Sequence, residues 1–222
     1  SLRLRPAHRV NLSVTLIAFG LALFGAELIL ERVAEGPYTE KYRVAAKKLK
    51  VPWDERSRFQ VVDDLRNDGV DAHLALTPLI LEGAETKNGV DQLYAFGEIS
   101  NSTIVMCNEL GQWSIYESDE FGFNNPRGIW GQDHIDTVSI GDSFVHGQCV
   151  TPEENATALI RNVYKNSLNL GTTGTSMLLQ LAVMKEYLGD MTPKAVLWFL
   201  FEGNDLPELL TEYNQNARAK KY

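Results

Sequence analysis

Three short polar turns hold the residues best suited to covalent chemistry: Gly141-Asp142-Ser143, Gly171-Thr172-Thr173-Gly174 and Gly203-Asn204-Asp205. A serine hydroxyl is a nucleophile for acyl transfer. The oxyanion formed when it attacks a carbonyl is stabilised by N–H groups preorganised where the charge develops, one such donor being worth ~3 to 4 kcal/mol. The Ser143 and Gly174 amides and the Asn204 carboxamide offer three donors, with Gly141, Asp142, Gly203 and Asp205 as supporting residues. Each turn is ordinary when taken singly. The signal is their order along the chain, each directly after an apolar segment, where Gly permits a sharp turn and close approach of substrate.

Those segments are Thr137 to Ile140, Ser167 to Leu170 and Ala195 to Phe201, which read as strands buried on both faces of a parallel sheet. Helices are predicted between them. Thr151-Pro152-Glu153-Glu154 supplies an N-cap, a first-turn Pro and a capping-box Glu, followed by an apolar face of Ala156, Leu159, Ile160 and Val163. Ser176 to Leu188 presents Met177, Leu181, Met184 and Leu188, with Gly189 as its stop. The resulting β-α-β-α-β order predicts an α/β fold, a flavodoxin-like three-layer sandwich around a parallel sheet. Ligands of such sheets bind outside the carboxyl ends of the strands.

GDSFVHG (Gly141 to Gly147), NLGTTG (Asn169 to Gly174) and GND (Gly203 to Asp205) resemble the first three blocks of the SGNH, or GDSL-like, hydrolase superfamily. The resemblance implies that Ser143 is the nucleophile and that Gly174 and Asn204 form the oxyanion hole. Gly174 is preferred to Gly171 because the family places that Gly five residues after the Asn ending the second strand, here Asn169. YESDEFGFNNP (Tyr116 to Pro126) is similar to the lead-in of bacterial membrane-anchored members, so the resemblance spans Tyr116 to Leu210. The family's late Asp-x-x-His block has no counterpart before Tyr222, and no His follows Asn204, so the domain is expected to be C-terminally incomplete. A neutral serine is a poor nucleophile without a base to take its proton. His146, three residues after Ser143, reaches it if the segment is helical; His134 and His73 are weaker candidates, packing being the default for all three. His8 belongs to the N-terminal tip.

Upstream, Val10 to Leu30 is a 21-residue apolar run whose one formal charge is Glu27, and Arg3, Arg5 and Arg9 precede it without an acid. It is long enough to span a bilayer and long for a signal peptide, whose small-x-small site occurs only inside it, around Gly20 to Ala22. Basic residues before it and Glu31, Glu35 and Glu40 after it place residues 1–9 as a cytoplasmic basic tip. The body is then expected to be periplasmic or otherwise extracytoplasmic, in a single-pass protein of a bacterial inner membrane. Ala18, Ala22 and Ala26 recur every four residues beside Gly25, a small face on which another transmembrane helix could pack. Residues 31–71 read as a charged, irregular stalk. Residues 72–130 read as a β-rich cap, with pieces at Leu74 to Leu81, Thr103 to Cys107 and Gln112 to Tyr116, the last two flanking an Asn108–Gly111 turn. Residues 131–222 are the α/β domain.

Of the 222 residues, 21 are Lys or Arg and 29 Asp or Glu, a net charge of −8. That sign disfavours nucleic acid. No GxGxxG or Walker-type loop follows a strand, which disfavours nucleotides, and no acid or His spacing suits a metal, so no cofactor is expected. Cys107 and Cys149 either form a disulfide in an oxidising compartment or remain two buried thiols. The function expected is a membrane-anchored serine esterase or O-acyltransferase acting on an extracytoplasmic O-acylated substrate. The alternative is a non-catalytic accessory subunit of a larger inner-membrane complex, with a degenerate fold of this type as its packing domain.

Overall fold

The computed structural model describes residues 6–76, 95–189 and 191–215, in two compact units, Ser1–Val51 and Pro52–Tyr222. The later part of the predicted Leu74 to Leu81 strand and Arg3 and Arg5 of the tip lie outside the described residues.

The first unit is one helix, α1 (Pro6–Leu49). Its Val10–Glu27 window has a mean hydropathy of 1.7 and no buried residue, so it is long and apolar enough to cross a membrane and is not the core helix of a globular domain. Ala18, Ala22 and Ala26 are all exposed along it. The helix continues to Leu49 through residues whose charge suggested an irregular stalk. Glu31, Arg32, Ala34, Glu35, Ala45 and Ala46 are good helix formers, and Lys47 and Lys48 in the last turn suit the negative end of the helix dipole.

The second unit begins with α2 (Arg58–Asn67), inside the segment read as stalk. Its start is a full capping box, Gln60 N donating to Ser57 Oγ and Ser57 N to Gln60 Oε1. A mixed sheet follows in the order β1 (Ala72–Leu74), β2 (Thr103–Val105), β3 (Ile115–Glu117), with β1 parallel and β3 antiparallel to β2. The turn between β2 and β3 is closed by Gly111 N donating to Asn108 Oδ1, with Gly111 at φ +94°. Val61 and Val62 of α2 pack on Ala72 and Val105, while Ile104, Met106 and Tyr116 form a separate cluster.

A second, all-parallel sheet has the order β5 (Ser167–Asn169), β4 (Thr137–Ile140), β6 (Ala195–Trp198). Between and after its strands lie α3 (Ser143–His146), α4 (Ala156–Arg161), α5 (Met177–Leu188) and α6 (Asp205–Gln215). Val138 and Ile140 of β4 and Leu168 and Leu170 at β5 join Leu179, Ala182 and Val183 of α5 in the main core, with Phe96, Phe123, Ile129 and Ile135. Each such buried side chain contributes roughly 1.5–3 kcal/mol relative to exposure. The alternate residues Thr137 and Ser167 bond to each other through their hydroxyls.

Three expectations are corrected. First, β6 is not buried on both faces: it is an edge strand, and Val196 and Trp198 are 41% and 38% exposed. Second, the capping box does not start a helix at Thr151. Thr151 and Glu154 bond through their side chains over a 3₁₀ turn, and α4 starts later, capped by Asn155 Oδ1 accepting from Ala158 N. Its buried residue is Thr157, whereas Leu159 and Val163 are exposed. Third, the residues α5 buries fully are Leu179, Gln180, Ala182 and Val183, while of the predicted face Met184 and Leu188 pack on the core only partly buried. That helix is apolar on nearly every side, so periodicity does not select the face. Its N-terminus is also capped from a distance: Ser176 makes no side-chain cap, and the Glu212 carboxylate of α6 accepts from the Ser176, Leu178 and Leu179 amides.

Candidate active site

The chain leaves β4 at Ile140 and turns through buried Gly141 and Asp142. Asp142 caps α3, its Oδ1 accepting from Phe144 N at 3.0 Å while its backbone carbonyl accepts from His146 N at 3.0 Å. Ser143 is therefore the first residue of a one-turn helix at the carboxyl end of the central strand, half-buried.

The third turn reaches the same edge through β6, which still pairs beyond its last strand residue by Phe199 N donating to Ile140 O. Asp205 is buried and structural. One oxygen accepts from Phe201 N at 2.6 Å and the other from Gln180 Nε2 at 3.0 Å. Gly203 is exposed. Next to it Asn204 is half-buried and donates from Nδ2 to Asp142 Oδ2 at 3.0 Å. A carboxamide has two N–H donors, so the second remains for a ligand oxygen. Asn204 Oδ1 is buried without a partner among the described residues.

The second turn packs against the other side of α3. Thr172 N donates to Gly141 O at 3.0 Å, and Asn169 Nδ2 to Val145 O at 2.7 Å. Thr173 Oγ1 lies 2.9 Å from His146 Nδ1. Gly171 is required by space, because a Cβ there would lie 2.2 Å from His146 N. Gly174 is half-buried at φ +77°, which Gly adopts readily. The second and third turns thus both bond the segment Gly141–His146 that contains Ser143.

His146 is not placed as the base. Its Nε2 is 2.9 Å from the Tyr116 hydroxyl and its Nδ1 is committed to Thr173, so neither nitrogen is left for the Ser143 proton. Burial lowers its pKa from 6.5 to about 4, keeping the ring neutral. His134 precedes β4, at the opposite edge of the sheet and ~13 Å of strand away; it faces Asp136 at 3.5 Å. His73 is on β1, bonded to Asp71 at 2.9 Å. Beside His146, Gly171 and Thr172, Glu98 lines a cavity of about 10 Å³, the space of a single water at most. Its carboxyl is pushed up to about 7 by burial and accepts from Leu76 N.

The Tyr116 to Pro126 stretch holds these parts in register, a role no residue in it announced beforehand. Buried Asp119 accepts from Phe121 N, Phe123 N, Asn125 Nδ2 and Trp130 Nε1. Asn124 Nδ2 donates to His146 O, and Asn125 exchanges two bonds with the Asn169 backbone. The available signal was an Asn pair shortly after an acid in a glycine-containing loop, since amides can donate and accept at once. Cys107 and Cys149 are joined by a disulfide, tying the segment after β2 to the loop after α3. Among the described residues no group of His, Cys, Asp and Glu is arranged to hold a metal ion.

No family model, curated protein or solved structure matches the chain.

Proposed function

We propose that the protein is a membrane-anchored SGNH-type serine esterase or O-acyltransferase acting on an extracytoplasmic O-acylated substrate. Ser143 attacks the acyl carbonyl, passing its hydroxyl proton to a base from outside the described residues, and the same base returns that proton to the departing alcohol; the Ser143 and Gly174 amides and the second Asn204 N–H receive the oxyanion. The observation that carries the reading is the Asn204 to Asp142 bond at 3.0 Å, which brings a carboxamide 62 residues downstream to the residue before the serine. A parallel sheet with β4 central also suits a doubly wound, flavodoxin-like three-layer sandwich, in which the strand order reverses where ligands bind. The α1 helix is the anchor, with the N-terminus cytoplasmic and the body periplasmic, and the Cys107–Cys149 bond suits that oxidising compartment. A fluorophosphonate probe or p-nitrophenyl acetate tests the reading. Probe adducts on Ser143, lost in Ser143→Ala, are expected; no adduct, or turnover unchanged in Ser143→Ala, removes it.

A second reading is favoured by a different observation. Phe199, Leu200 and Phe201 after β6 and Leu206, Leu210 and Tyr213 of α6 are all exposed large apolar residues, of the kind found at contacts between proteins. A non-catalytic accessory subunit of an inner-membrane complex would use them, together with Ala18, Ala22 and Ala26. Purification in mild detergent separates the two: a stoichiometric membrane partner supports the second, and a lone monomer at every detergent concentration counts against it.

A further inference from the structure

β3, residues 124–127 and the region of α4 line an open cleft of about 590 Å³, bordered by Tyr116, Glu117, Asn124, Asn125, Arg127 and Arg161 among others. Its volume falls in the range of small-molecule sites, roughly 300–1,000 Å³. Pro126 and Pro152 stiffen its walls.

Arg161 is the informative residue. Its Nε donates to the Ser167 carbonyl at 2.8 Å and its Nη2 to Asn125 Oδ1, both neutral acceptors. No carboxylate lies within ion-pair distance of it among the described residues. The negative charge that acts on it is that of Asp119, which accepts from the Asn125 amide nitrogen. Burial lowers the Arg161 pKa to about 10, as it does for a cation held away from water without a direct counter-charge. A guanidinium has five N–H donors, and two are used in these bonds. The other charges of the lining are answered or solvated: Glu117 pairs with Arg127 at 2.8 Å, and Glu153 is exposed at the rim.

We infer that this cavity binds a small organic anion of about sugar size, a carboxylate- or phosphate-bearing molecule seated with its charged group on Arg161. Asn124 and Asn162 meet its remaining polar atoms, the Asn125 amide being fully used by Asp119, Asn169 and Arg161. Guanidinium groups bind both anions through paired N–H donors, and a desolvated one gains most from the contact. The inference is independent of the esterase reading. An occupant would nonetheless touch Asn124 and Asn125, whose amides also hold His146 and Asn169.

Calorimetric titration of the full chain in detergent micelles, with glucuronate, glucose 6-phosphate and glucose as probes at matched ionic strength, tests it. Saturable binding of at least one anion below about 1 mM is expected, with none for glucose. Which anion binds identifies the charged group. Arg161→Gln should weaken binding by at least about tenfold, and Arg127→Gln by less, because Arg127 is exposed and already paired. If Arg161→Gln fails to fold, Ala158→Trp fills the cavity from α4 without touching the Arg161 bonds, and binding should be lost. No saturation by either anion up to roughly 10 mM, equal binding of glucose, or binding undiminished in Arg161→Gln or Ala158→Trp overturns the inference.

Discussion

His146 and Glu98, both lining the small cavity beside the second turn, have pKa values displaced in opposite directions by the same cause. Burial favours the neutral form of each, so the base titrates low, at about 4, and the acid high, at about 7. The consequences for stability are opposite in sign. The unfolded chain binds the extra proton on His146 between pH 6.5 and about 4, so that contribution is present above 6.5 and lost as pH falls. Glu98 keeps its proton in the folded state from pH 4.5 to about 7, so its contribution is present below 4.5 and lost as pH rises. Each corresponds to roughly 3 kcal/mol and the two largely offset each other in the wild type. Glu98→Gln should therefore lose roughly 3 kcal/mol relative to wild type as pH falls from 7 to 4, and His146→Gln a similar amount as pH rises over the same range. Urea unfolding at a series of pH values checks both. Curves parallel to wild type would show that neither group is held neutral by the fold.

Among the α-helices, α3 is the shortest, and it is held by bonds from two other turns. It receives the second turn through Gly171, whose missing side chain lets the backbone meet the His146 amide. Gly171→Ala is expected to cost at least about 3 kcal/mol, since its Cβ would meet backbone rather than a movable side-chain tip. A melting curve close to wild type would contradict that packing. On α5 the cap is a carboxylate from α6, so Glu212→Ala should leave three amides unbonded at a buried helix end. The loss expected is roughly 2 kcal/mol, measured by chemical denaturation, and a change below about 0.5 kcal/mol would mean that water replaces the carboxylate.

For the molecule as a whole, the disulfide closes a separation of 42 residues between the two sheets' connecting segments. Loop-closure entropy for that length is about 4 kcal/mol, and measured effects are typically 2–4 kcal/mol. Cys107→Ala with Cys149→Ala is expected to lower stability by an amount in that range, and the unreduced protein should show no free thiol in a thiol titration. A double variant as stable as wild type would place the restraint elsewhere, in the Tyr116–His146 and Asn125–Asn169 bonds.

Much of the local structure was legible from single segments. The strand Thr137–Ile140, the Asn108–Gly111 turn and the Gly189 stop are where short-range patterns placed them, because short, nearly apolar runs and turn residues act on their immediate neighbours. The apolar N-terminal helix was legible for the same reason, its length and composition being properties of one stretch of chain. What only the folded chain decided involves partners far apart: the face α5 buries, the carboxylate that caps it, the exposure of edge strand β6, and the commitment of both His146 nitrogens to Tyr116 and Thr173. An almost wholly apolar helix has no preferred side until a sheet covers one. Likewise, a histidine three residues from a serine is a candidate base until its hydrogen-bond capacity is used by residues from other strands.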